Sequence, residues 1–188
     1  MTSRRVGLAV ATTCLALAGA GAAYASTSAS ASASPAHPTA GKQLSTIRAA
    51  TAKYHRLSAA QDAGWSGLFQ DVNGLTCIED TDVPSMGGMG YHWVNPDNIG
   101  STDPTKPAAL IYASSGKKKQ RLAGMEYLVP DVPTGTVPQP SLNGQRFMYN
   151  EPGNRFLGDT AFWSLHVWAW QHNPAGTYAM WNPTITCP

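Results

Sequence analysis

Charge is scarce in this chain. Asp, Glu, Lys and Arg make up 13% of its 188 residues, and the formal net charge is only +2. That small excess belongs to Arg4 and Arg5, so residues 26–188 carry no net formal charge. No basic face is left to suit a nucleic acid, and no polybasic patch to hold a membrane surface. The one charge run, Lys117-Lys118-Lys119 after Ser114-Ser115-Gly116, reads as a solvated hairpin tip.

Cysteine is scarce as well, with three in all, which excludes a disulfide-dense scaffold. Several chemistries lack their signatures. There is no Cys-x-x-Cys or His-Glu-x-x-His zinc motif and no Gly-x-Ser-x-Gly nucleophile elbow. The glycines at 87, 88 and 90 have no Gly-Lys-Ser/Thr after them, so they are not a phosphate loop.

What is present begins with MTSRRVGLAVATTCLALAGAGAAYA. A charged start, an apolar run and Ala23-Tyr24-Ala25 form the pattern of a secretory signal peptide over residues 1–25. The run is too short and too rich in Ala and Gly for a membrane span, so no stable membrane anchor is expected. Ser3-Arg4-Arg5 leaves the general and twin-arginine export routes both open. Residues 26–41 are of low complexity and read as a disordered leader. Removal of the signal takes Cys14 with it. Cys77 and Cys187 remain, an even pair in an oxidising compartment, and are expected to form a disulfide.

Residues 42–188 read as a single secreted domain. Leu44, Ile47, Ala50, Tyr54 and Leu57 recur at helical spacing. Ser58 and Gln61 resemble a capping box, where a second short helix would start, and Gly64 suits the position just past its end. Strands are expected at 65–69, 90–94, 108–113, 120–129 and 162–170, with shorter ones at 178–181 and 184–187. Residues 130–144 and 149–159 read as loops. A helical segment followed by strands predicts an α+β fold. Its N-terminal helix would pack on a mostly antiparallel sheet, which could curve or close toward a barrel.

Strand alternation then singles out three polar residues. In FWSLHVWAW, Phe162, Ser164, His166, Trp168 and Trp170 would share one face. In GMGYHWV, His92 shares a face with Gly90 and Val94, opposite Tyr91 and Trp93. In RLAGMEYLV, Glu126 shares a face with Gly124 and Leu128, inside an apolar run. A buried carboxylate is costly unless paired or coordinated. Two histidines and a carboxylate are a metal-binding set that leaves coordination positions open, for zinc, copper or iron. His172, just past the strand, is a candidate fourth ligand. The plainer alternative satisfies each residue separately, with His92 on a backbone carbonyl and Glu126 on Arg121 or Arg146. Two weaker sets are Met86, Met89 and His92 for copper, and Glu79-Asp80-Thr81-Asp82 for calcium.

The blocks ATAKYHRLSAAQDAGW, GMGYHWVNP, GMEYLVP and LHVWAWQHNPAGTYAMWNP resemble a group of small secreted bacterial proteins without an assigned activity. The resemblance runs from about residue 48 to the end and implies bacterial origin and export. It brings no substrate, cofactor or catalytic residue.

Two functional readings follow. One is a metal or small-ligand site at His92, Glu126 and His166, suited to metal-assisted hydrolysis or oxygen chemistry. The other is a non-catalytic extracellular binding module that stacks its ligand on Trp93, Trp168 and Trp170. A third, in which every aromatic is core, expects His92 and Glu126 far apart.

Overall fold

A computed structural model of the protein describes residues 40–114, 119–142 and 144–188. The expected signal peptide, nearly all of the expected leader, and Lys117 and Lys118 of the basic turn lie outside the described residues.

The helical segment is three pieces: α1 (Ala40–Thr51), a 3-10 turn (Ala52–His55) and α2 (Leu57–Asp62). The periodic positions form its inner face, with Ile47 and Tyr54 buried and Leu44 and Leu57 packed beside them. The break falls where expected, but no capping box makes it. Arg56 is extended and caps α2 without a side-chain hydrogen bond, so Ser58 already lies inside the helix. Gly64 follows the Ala63 cap at φ +103°, a backbone shape that a Cβ would strain.

The strands are β1 (Gly67–Leu68), β2 (Cys77–Glu79), β3 (Gly88–Val94), β4 (Ala109–Ser114), β5 (Gln120–Pro130), β6 (Ser141–Leu142), β7 (Gln145–Arg146), β8 (Met148–Asn150) and β9 (Phe162–Val167). Seven form one sheet in the order β1-β3-β4-β5-β9-β8, with β2 also on β3, and every pairing is antiparallel. β6 and β7 make a separate hairpin. The α+β class therefore holds, but the sheet is open. Its end strands do not pair, and at two and three residues they offer too short a ladder for barrel closure. Short edges also limit pairing with other chains.

Three local expectations need correction. The aromatic strand stops at Val167, three residues early. From there Trp168 N–H donates to the Thr177 carbonyl, and the Trp170 and Gln171 N–H groups both donate to Ala123. Ala123 is the extra residue of a bulge between β4 and β5, where Ile111 faces Gly124 and Tyr112 faces Leu122. The strands expected at 178–181 and 184–187 are replaced by turns and one bridge, Gly88 to Asn182. Conversely, β6 lies inside a stretch that reads as loop, and β8 runs into the next one at Tyr149.

The sheet is buried on both faces. Leu110, Tyr112, Met125, Tyr127, Leu165 and Val167 pack in one core with Ile47 and Tyr54 of the helical segment and with Trp65 just past it. The Tyr112 hydroxyl donates to the Tyr54 carbonyl at 2.6 Å and ties the two layers. On the other face, Ile111 and Ala123 pack with Trp168 and Ile185 of the C-terminal segment. A disulfide joins Cys77 to Cys187, 110 residues apart, and fastens that segment to β2. Among the described residues, no helix is long and apolar enough to cross a membrane.

Candidate metal centre

The site lies on the face opposite the helices and follows from strand register. Glu126 on β5 directly faces His166 on β9. On its other side Glu126 faces Ala109 of β4, which faces Val94 of β3. His92 lies two residues before Val94 on the same face, diagonal to Ala109. The small Ala109 side chain leaves His92 room to reach over β4.

The three side chains converge. His92 Nε2 lies 3.3 Å from His166 Nε2 and 3.7 Å from Glu126 Oε2. His166 Nε2 lies 3.9 Å from Glu126 Oε1. Two imidazole nitrogens each about 2.1 Å from one metal, at tetrahedral to octahedral angles, stand about 3.0 to 3.4 Å apart. The two histidines already meet that spacing, and Glu126 needs a shift of about half an ångström to join them. Among the described residues this is the one His/Cys/Asp/Glu group with metal-binding spacing.

Burial sets the protonation states. Desolvation lowers His92 to about 4, against a weaker pull from the Gly90 carbonyl. Burial, and secondarily His92 beside it, holds His166 well below its ordinary value. Burial pushes the Glu126 carboxyl up to about 8. Near pH 7 all three groups are therefore neutral, so the short His–Glu approaches are not ion pairs. One imidazole Nε2–H can donate to the other's lone pair when no cation is present. His92 Nδ1 is buried and makes no hydrogen bond of good geometry.

The triad forms one wall of a cavity of about 190 Å³. Its inner lining includes Ile78, Met89 and Phe162, all buried, and its rim includes Phe69, Leu128 and Phe156, all half-buried. Two buried polar residues open into it. Asn150 Nδ2 donates to Ser164 Oγ at 3.1 Å.

The other sequence candidates fall elsewhere. His172 is exposed, past the point where the chain leaves the ladder, and does not join the triad. Met89 lines the cavity, but Met86 is 41% exposed on a separate 3-10 turn, so the copper set is not assembled. Asp80 Oδ1 accepts from the Asp82 and Val83 N–H groups, making an ordinary turn of the acidic run.

The tryptophans form no common face. Trp168 is buried, roughly stacked on His166, with Nε1 donating to the Ala179 carbonyl. Trp170 packs on the helix side, edge-on to His55, with Nε1 donating to Thr51 Oγ1. Trp93 is on the helix side too, its Nε1 donating to Gln120. The expected partners of Glu126 are also otherwise placed: Arg121 donates to Gln171, and Arg146 is exposed. The reading that keeps His92 and Glu126 apart fails on their 3.7 Å separation.

Sequence reasoning missed Asn150, because the three-residue β8 has no periodicity to read. It placed Ser164 on the His166 face without assigning it a role. No protein family, curated protein or solved structure matches this chain.

Proposed function

We propose that the protein binds one transition-metal ion through His92, Glu126 and His166 and presents its open coordination positions to the apolar cavity. The observation that carries this reading is the convergence of two imidazole Nε2 atoms and a carboxylate at metal-ligand spacing. Zinc and iron(II) both use two histidines and one carboxylate with open positions. The metal would also supply the charge that this neutral, buried cluster lacks. It would displace the Glu126 proton and be met by neutral imidazoles.

The chain's place of work is read the same way. A disulfide and no membrane-spanning helix among the described residues accord with a secreted soluble protein. The N-terminal sequence and the likeness to small exported bacterial proteins support cleavage near Ala25 and a single working domain from residue 42.

Elemental analysis of the secreted, untagged protein tests the metal. About one equivalent of zinc or iron in the wild type, and none in a His92→Ala, His166→Ala double variant, is the expected result. Wild-type protein that stays metal-free after soaking and desalting would overturn the reading.

A further inference from the structure

We infer that the cavity holds a small, mostly hydrocarbon molecule of about one six-membered ring, carrying a single oxygen that hydrogen-bonds to Ser164. The inference names the ligand class of the proposed metal site and rests on that reading for the ligand's place beside a metal.

Size comes first. An apolar cavity of about 150 Å³ suffices for benzene, and this one is about 190 Å³. One ring with one or two substituent atoms fits, and a drug-sized ligand does not. Chemistry comes next. Ile78, Met89, Leu128, Phe156 and Phe162 present hydrocarbon or thioether surface. No Lys or Arg is among the described lining residues, so an anionic group would find no cation there except the metal itself.

Ser164 then fixes orientation. Its Oγ accepts from Asn150 Nδ2, which leaves the hydroxyl's own proton to donate. Ser164 lies on the same strand face as His166, two residues away, or about 7 Å along β9. A ring spans that distance. Its oxygen can meet the Ser164 hydroxyl while its far edge faces the His92, Glu126 and His166 wall.

The test uses the metal-free, disulfide-intact protein with methyl-labelled methionine, titrated with toluene and with para-cresol. Met89 and Met180 line the cavity, whereas Met148 does not and is exposed. Both probes are expected to shift the Met89 and Met180 methyl signals saturably and leave Met148 unmoved. Para-cresol should bind up to about tenfold more tightly than toluene, the effect of one added hydrogen bond. Ser164→Ala should reduce para-cresol to the toluene affinity, and Leu128→Trp should weaken both probes by tenfold or more.

No saturable shift at Met89 and Met180 would overturn the inference, and so would equal wild-type affinities for the two probes. Zinc uptake is measured on the same protein. Probe binding without zinc uptake would leave the cavity ligand standing and discard the metal. Zinc uptake without probe binding would discard the cavity ligand and leave the metal.

Discussion

Glu126 and His166 stand directly opposite each other on β5 and β9, with Oε1 and Nε2 3.9 Å apart. Burial drives the two in opposite directions, the carboxyl up to about 8 and the imidazole down. Each is thereby kept neutral where it would ordinarily be charged or partly charged.

That opposition gives the metal-free protein a particular pH profile. Between pH 4.5 and 6.5, unfolding lets His92 and His166 gain protons while Glu126 loses one. The net gain makes stability rise with pH. Between pH 6.5 and about 8, of these three groups only Glu126 differs, protonated when folded and ionised when unfolded, so their contribution to stability falls. One proton sets a ceiling of about 1.4 kcal/mol per pH unit on the slope. Urea midpoints measured in a chelator across this range should show the fall above 6.5 in wild type, and Glu126→Gln should flatten it. A wild-type curve that climbs steadily to pH 8, with no difference from Glu126→Gln, would contradict these protonation states.

Metal addition should reverse the upper limb. Uptake below pH 8 must displace the Glu126 proton, so apparent affinity should rise about tenfold per pH unit between about pH 6 and 8, then level off. A metal at one hundred times its dissociation constant adds about 2.7 kcal/mol. In a domain of this size that raises the melting temperature by about 5 to 10 °C. Thermal scans with zinc check both the shift and its loss in His166→Ala.

Gly124 should be intolerant of a side chain. A Cβ there would stand 2.7 Å from the Val167 carbonyl oxygen, which is backbone and cannot swing away. Gly124→Ala should cost about 1 to 3 kcal/mol by overpacking. It should also weaken metal binding, because spreading β5 from β9 separates Glu126 from His166. Stability and metal titration on one sample would show whether the two losses occur together.

Removing the disulfide is expected to be costly as well. Cys77→Ser with Cys187→Ser should lower stability by about 2 to 5 kcal/mol, the usual cost of losing a native disulfide from a small domain. Equilibrium unfolding of the double variant against wild type measures it.

Much of this site was legible in the sequence, for a definite reason. His92 and Glu126 each interrupt an otherwise apolar strand face, His166 and Ser164 interrupt another, and alternation by two exposes such interruptions. Strand order was not legible. His92 and Glu126 sit on β3 and β5 with β4 between them, and they meet across it beside the small Ala109. The same alternation misled where a strand ended early. Carried past Val167, it put Trp168 and Trp170 on one face. The Ala123 bulge and the turn at Thr177 send Trp168 and Trp170 to different sides of the sheet. Nothing in the local sequence announces a bulge that is defined by its partner strand.

The bond between Cys77 and Cys187 encloses all three site residues in one covalent ring, while α1 and α2 lie outside it. A protease that cuts once within the proline-rich stretch 130–144 would open this ring without releasing either piece. His92 and Glu126 would remain on one fragment and His166 on the other, still linked through sulfur. The protein can thus lose backbone continuity at one point in that stretch and remain a single molecule.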